Sequence, residues 1–107
     1  MTLRFGLKEP TIEKIKGVFS KYAQIEKVML YGSRAKGNYK NGSDIDLCLY
    51  GDENLNTKIL YKVLRDIDDL FLPYSFDISI FLELSNPDFI EHIERVGLVF
   101  YERVEKA

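Results

Sequence analysis

Apolar residues recur at helical spacing in three stretches of the chain. Residues 12, 15, 19 and 22 form the first apolar stripe, within a segment (11–22) whose charged side chains fall elsewhere on the helical wheel. The second stretch covers residues 57–71 and stops before Pro73. The third opens with residues 85–87, which include a proline suited to a first helical turn, and ends at Gly97. We therefore predict three amphipathic helices.

Four shorter stretches have the pattern of strands. Residues 27–31 and 98–101 are short apolar runs, whereas residues 44–50 and 75–82 alternate strictly between two faces. One face of residues 44–50 is aliphatic, and the other carries Asp44 and Asp46. Asp77 occupies the polar face of residues 75–82. The alternation therefore predicts a sheet with an aliphatic face to be covered by helices and a face that carries carboxylates.

The order of these elements predicts the architecture. Two strands follow each other directly after the first helix, which favours an antiparallel pair. A helix then separates the second strand from the third, which favours a parallel crossover and hence a mixed sheet. We predict an α+β fold (an α/β two-layer arrangement) in which a small mixed β-sheet has its helices mainly on one face, as a single domain over residues 1–107.

Composition narrows the class of protein. The chain has 107 residues, of which 46% are hydrophobic and 30% charged, as in an ordinary globular domain. A net charge of −2 argues against an extended nucleic-acid surface. The single cysteine, Cys48, excludes an internal disulfide and fits a reducing compartment. No apolar run has the length of a membrane span, and the first ten residues lack a signal-peptide core, so we expect a cytoplasmic protein.

Small and polar residues follow the first predicted strand. Residues 30–37 read LYGSRAKG, which predicts a strand, a tight turn and about one turn of helix. Gly32 would let a phosphate approach the backbone, while the Ser33 hydroxyl and nearby N–H groups could donate to phosphate oxygens. Arg34 and Lys36 could add positive charge there, but solvated surface charge is an equally good interpretation of both.

Three aspartates are predicted to converge near that turn. Asp44 and Asp46 lie on one strand face roughly 7 Å apart, and Asp77 on a paired strand would lie about 5 Å from one of them. Such carboxylates repel each other unless cations lie among them, and two Mg²⁺ ions would remove the repulsion. Asp44 could instead cap the preceding loop. We expect Cys48 to be a small packed side chain and His92 to have a surface or partly packed role.

The combined pattern resembles that of a known superfamily. Gly32-Ser33, ten intervening residues and Asp44-Ile45-Asp46-Leu47 resemble the signature of the DNA polymerase beta nucleotidyltransferases. The fuller run GSRAKGNYKNGSDIDL resembles the minimal nucleotidyltransferase (MNT) antitoxins of prokaryotes, which are partners of HEPN-domain toxins. The resemblance implies a polymerase-beta-like fold, phosphate binding at Gly32 and Ser33, and magnesium binding at Asp44, Asp46 and Asp77.

The same resemblance implies an activity. Such an enzyme would transfer AMP from ATP, with magnesium, to a tyrosine of a HEPN toxin and so act as an antitoxin. Two alternatives remain: a non-catalytic antitoxin that binds and occludes the toxin, and nucleotidyl transfer to a small-molecule acceptor. A phosphohydrolase of the D-x-D type fits less well, because Cys48 stands where that pattern has Thr or Val. The sequence predicts neither the modified residue, nor the nucleotide selectivity, nor the oligomeric state.

Overall fold

The structure, a computed structural model, describes residues 3–104. Its strands are β1 (Leu3–Arg4), β2 (Leu7–Lys8), β3 (Lys27–Tyr31), β4 (Ile45–Tyr50), β5 (Phe76–Ile80) and β6 (Leu98–Glu102). Its α-helices are α1 (Glu9–Ser20), α2 (Gly32–Lys36), α3 (Thr57–Asp68) and α4 (Pro87–Val96), and a short 3-10 helix spans Phe81–Glu83. The predicted order of long helices and strands is thereby confirmed.

Four strands form one mixed sheet in the order β5-β4-β3-β6. Strand β3 pairs antiparallel with both β4 and β6, as expected for strands joined by short or returning connections. Strand β4 pairs parallel with β5 through the α3 crossover. The predicted antiparallel pair and mixed sheet are both confirmed.

The aliphatic face of the sheet carries the main core. Ile45, Leu47 and Leu49 on β4 are completely buried, as the alternation of that strand predicts. Helices α1 and α3 cover this face with their apolar stripes, which include Ile15 and Val63, both also fully buried. At about 25 cal/mol per Å² of apolar surface, burial of this face is the main stabilising contribution to folding.

Helix α4 packs on the other face of the sheet, which carries the carboxylates. Its Ile93 is fully buried against Tyr31 and Cys48, which belong to the same face of the sheet as Asp46. Helices α1 and α3 lie on one face, so the expectation that the helices lie mainly on one face is confirmed, with α4 as the exception. An apolar stripe shows that a helix is covered on one side, but not which face of the sheet covers it.

Element boundaries differ from the prediction by a few residues. Helix α1 begins at Glu9, with Pro10 in its first turn, and α3 ends at Asp68, three residues before Phe71 adopts a positive φ of 53°. Strand β5 ends at Ile80, where the chain tightens into the 3-10 helix. The hairpin of β1 and β2 was not predicted, because two-residue strands are too short to show a period.

Within residues 3–104, no helix is long and apolar enough to span a membrane.

Candidate active site

The turn after β3 is shaped by one glycine. Gly32 has a φ of 75°, a backbone conformation that costs residues with a side chain roughly 1–2 kcal/mol. A Cβ atom at this position would overlap the carboxylate of Asp46. Helix α2 then runs to Lys36, and Gly37, at a φ of 88°, closes it by donating its N–H to the Ser33 carbonyl over 2.9 Å. The turn and the aspartate are thus in direct proximity only because residue 32 is glycine.

Strand register brings two of the three predicted aspartates together. Asp46 on β4 lies opposite Asp77 on β5 in the parallel pair, and opposite Tyr31, the last residue of β3, in the antiparallel pair. Neighbouring strands lie about 4.8 Å apart. Asp44 precedes β4 by one residue. The strand register thus places Asp46 beside Asp77 and next to the Gly32-Ser33 turn, whereas the convergence of all three carboxylates on one site stays a prediction.

Burial and neighbouring charges both raise the pKa of the middle aspartate, Asp46. Asp46 is half-buried, whereas Asp44 and Asp77 are exposed. Burial raises the pKa of Asp46, the charges of Asp77 and Asp44 raise it further, and the Arg34 guanidinium lowers it. The charges of Asp77 and Asp44 thus disfavour the ionised form of Asp46, and Arg34 favours it.

The carboxylates do not form a closed metal cage by themselves. Among the residues that the structure describes, no group of three or more His, Cys, Asp or Glu side chains is placed to hold a metal ion. Mg²⁺ commonly takes only one or two protein carboxylates and completes its shell with water and substrate phosphates. Hard carboxylate oxygens such as those of Asp46 and Asp77 have the donor chemistry for such a shared site.

Arg34 is buried, a position that was predicted neither by its interpretation as a phosphate contact nor by that as a solvated surface charge. Its side chain is only 3% exposed, so the interpretation as solvated surface charge is wrong. The guanidinium donates from Nε and Nη2 to the Ser43 carbonyl (3.1 and 2.9 Å) and from Nη1 to the Phe5 carbonyl (2.8 Å). Phosphate contact by Arg34 stays a prediction, made less favourable by these contacts. Lys36 is exposed at the end of α2, and its phosphate contact stays a prediction as well.

Aromatic side chains and the cysteine beside the carboxylates are packed. Tyr31 meets Phe89 edge to face at 5.5 Å and His92 at 6.4 Å between ring centroids. Burial raises the pKa of the Cys48 thiol to about 11, which keeps it protonated and unreactive at neutral pH. The expected packing roles of His92 and Cys48 are thereby confirmed.

The sequence reasoning missed the contribution of the N-terminal hairpin. The Phe5 carbonyl, in the turn between β1 and β2, accepts a hydrogen bond from Arg34, and the Tyr39 ring lies 5.4 Å from the Arg34 guanidinium carbon. A two-residue turn with positive φ at Phe5 and Gly6 explains how this carbonyl is presented. The glycine after an aromatic residue was the only signal in the sequence that could have indicated it.

A curated relative resembles much of the chain. A protein of Methanocaldococcus jannaschii, provisionally named protein adenylyltransferase MJ1547, is 38% identical over 79 residues. The alignment covers 73% of this chain and 57% of the relative, so the chain spans a little over half the length of that protein.

Solved structures share the fold at low identity. A chain from the crystal structure of a toxin–antitoxin with AMP-PNP matches with a TM-score of 0.69 at 16% identity, covering 91% of this chain and 75% of that one. A chain from a complex of the tri-AMPylated Shewanella oneidensis HEPN toxin with its MNT antitoxin matches with a TM-score of 0.65 at 12% identity, covering 89% and 72%. At these identities the likeness concerns the fold.

The family follows from a match over most of the chain. The family model described as "Polymerase beta, Nucleotidyltransferase" matches residues 13–106, a range that includes the Gly32-Ser33 turn and all three aspartates. Together with the shared fold, this match means that the chain belongs to the polymerase beta nucleotidyltransferase family.

Proposed function

We propose that this protein transfers AMP from ATP to a hydroxyl group of a partner protein. The observation that carries the proposal is the juxtaposition of the Gly32-Ser33 turn with Asp46, which itself lies in register with Asp77. A glycine-serine turn at the start of a helix, next to carboxylates on neighbouring strands, offers the two kinds of group that metal-dependent phosphoryl transfer needs. Membership of the nucleotidyltransferase family supports the same reaction class.

The turn would bind the triphosphate of ATP. Because Gly32 has no side chain, a phosphate could reach the backbone where β3 passes into α2. The Ser33 hydroxyl, which is half-buried, could donate to a phosphate oxygen. Lys36 at the far end of α2 would contribute only long-range positive charge, since its side chain is exposed.

The aspartates would hold Mg²⁺, with two ions as the expected number. Asp44, Asp46 and Asp77 would supply carboxylate oxygens, and the bound metal would lower the charge barrier to attack on phosphate. Burial raises the pKa of Asp46, and the charges of Asp77 and Asp44 raise it further; a cation beside these carboxylates would offset that repulsion.

The reaction balances as a substitution at the α-phosphorus of ATP. The acceptor hydroxyl oxygen forms a bond to the α-phosphorus. The bond between the α-phosphorus and the oxygen that bridges it to the β-phosphate breaks, and pyrophosphate leaves with that electron pair. The hydroxyl proton passes to water or to Asp77, an exposed carboxylate on the edge strand β5. Asp77 is therefore the candidate base.

The proposed partner is a HEPN-domain toxin, with tyrosine as the acceptor. Support comes from the sequence resemblance to MNT antitoxins, and from the shared fold with chains of toxin–antitoxin structures, one of which contains an AMPylated HEPN toxin. The provisional name of the Methanocaldococcus jannaschii relative agrees with AMP transfer to protein. On this proposal the protein acts as an antitoxin in the cytoplasm.

The test uses labelled ATP and the product of the neighbouring gene. The protein, Mg²⁺ and α-labelled ATP are incubated with that partner, and label on the partner is measured. We expect transfer by the wild type, none by the Asp44→Asn, Asp46→Asn double variant, and unchanged transfer by Asp68→Asn, Asp69→Asn, which removes two exposed carboxylates at the end of α3.

Two other results would replace the proposal. Absence of label with the wild type, together with rescue of cells from the toxin by the Asp44→Asn, Asp46→Asn variant, would show a non-catalytic antitoxin that acts by occlusion. Label that appears on a small molecule in cell extract, and not on the protein partner, would show a small-molecule acceptor.

A further inference from the structure

Arg34 joins the two halves of the candidate site. It follows Ser33 directly in α2, so its backbone belongs to the phosphate turn. Its side chain reaches the Ser43 carbonyl, the residue before Asp44, through two N–H donors. A buried guanidinium is costly unless its donors are satisfied, and carbonyls of two separate segments satisfy it here.

The guanidinium is also confined by its neighbours. The Tyr39 and Tyr74 ring centroids lie 5.4 and 5.1 Å from its central carbon. A Cβ atom at Gly6 would lie 2.8 Å from Nη1 of Arg34 and 2.5 Å from the Tyr39 ring, so no spare space remains on the hairpin side. The planar group therefore has one available arrangement, which lysine could not reproduce.

The backbone around Asp44 is held on both sides. Before Asp44, the Ser43 carbonyl accepts from Arg34, and the Ser43 hydroxyl accepts from the Lys40 N–H over 2.8 Å. After Asp44, the Ile45 N–H donates to the Ser75 carbonyl over 2.9 Å. The exposed Asp44 thus lies between two residues whose backbone groups are hydrogen-bonded, Ser43 and Ile45. Of these two, only Ser43 is held by a side chain of α2, that of Arg34.

We propose that Arg34 is a positioning residue that fixes the Asp44 carboxylate relative to the Gly32-Ser33 turn. This inference rests on the proposed metal-dependent function and adds that metal affinity depends on a side chain that does not touch the metal. Mutation of a residue that orients a metal ligand without touching the metal typically lowers metal affinity or activity by about 10- to 100-fold.

Arg103 provides a matched control. Its guanidinium also donates to backbone carbonyls, those of Ile25 (3.2 Å), Tyr22 (2.7 Å) and Ser20 (3.4 Å). These carbonyls follow or end α1 and belong to none of the site segments. Loss of Arg103 therefore weakens the fold through the same kind of contact, without disturbing the Asp44 segment.

The experiment measures Mn²⁺ affinity without nucleotide, by electron paramagnetic resonance, alongside the unfolding temperature. We expect Arg34→Lys to weaken Mn²⁺ binding by about tenfold or more. Arg103→Lys should lower the unfolding temperature but leave Mn²⁺ affinity at the wild-type value. Tyr39→Leu, which removes one stacking ring from a partly exposed site, should keep the fold and weaken Mn²⁺ binding by about threefold.

Each contrary result has a distinct meaning. If Arg34→Lys and Tyr39→Leu both bind Mn²⁺ as the wild type does, the positioning role is wrong. If these variants lose affinity for an ATP analogue but not for Mn²⁺, Arg34 contacts phosphate instead. If the wild type itself binds no Mn²⁺, the proposed metal-dependent function fails, whatever the variants do. If Arg34→Lys does not fold, the Mn²⁺ affinity of Tyr39→Leu decides: wild-type affinity in that variant would rule out the positioning role.

Discussion

The two faces of strand β4 differ in what surrounds them. Ile45, Leu47 and Leu49 lie on a face that α1 and α3 cover completely, whereas Asp46 lies on a face that α4 covers only in part. On that second face, Cys48 is buried but Asp46 keeps access to solvent. Strand β4 thus contributes Ile45, Leu47 and Leu49 to the core and Asp46 to the candidate site. Substitutions of Leu47 and Asp46 should therefore separate stability from activity.

The largest expected effect is on activity, from Asp46→Asn. Loss of this carboxylate should lower kcat/KM for the proposed AMP transfer by about a thousandfold, because the proposed metal would contribute several kcal/mol to charge stabilisation in the transition state. The unfolding temperature should stay the same or rise, since the substitution removes the repulsion from Asp77 and Asp44. Transfer kinetics and thermal melts measure both quantities. A lower unfolding temperature would contradict the separation of the two faces.

The opposite result is expected from Leu47→Ala. Leu47 is fully buried on the aliphatic face, so its truncation should lower the free energy of unfolding by about 2–5 kcal/mol. Urea titration measures that loss. AMP transfer per folded molecule should stay within about twofold of the wild type, and a larger fall would mean that the core also sets the geometry of the carboxylates.

Gly32→Ala should affect both properties, with activity affected more. The positive φ of Gly32 makes alanine unfavourable by roughly 1–2 kcal/mol, and the new Cβ would displace the Asp46 carboxylate. Misplacement by about 1 Å can cost about a hundredfold in rate. We expect a loss of that order in kcat/KM, measured with Gly17→Ala as the control, because a Cβ at Gly17 meets open space.

The smallest effect is expected at Cys48. Burial and a pKa raised to about 11 should make its thiol react with a disulfide reagent far more slowly in the folded protein than in denaturant at pH 7. Cys48→Ala should leave AMP transfer unchanged. Fast reaction in the folded state would mean that α4 moves away from the carboxylate face.

The sequence predicts features that depend on neighbouring residues of one segment better than features that depend on contacts between distant segments. The alternation of residues 44–50 is enough to assign both faces of β4. It also places Asp77 across from one of Asp44 and Asp46, but only the strand register shows that the partner is Asp46. The face chosen by α4 was not predictable, since its stripe fits either side of a sheet. Nor was the burial of Arg34, because it depends on carbonyls of Phe5 and Ser43 that are distant along the chain.

The proposed function requires nucleotide and metal to bind at the end of the sheet formed by the Gly32-Ser33 turn, Asp46 and Asp77. The most direct test is to map amide chemical-shift changes by NMR when Mg²⁺ and a non-hydrolysable ATP analogue are added. We predict the largest changes at Gly32, Ser33, Asp46 and Asp77, with little change along the α1 and α3 face. Changes centred on α1 and α3, or no changes at saturating ligand, would contradict the account.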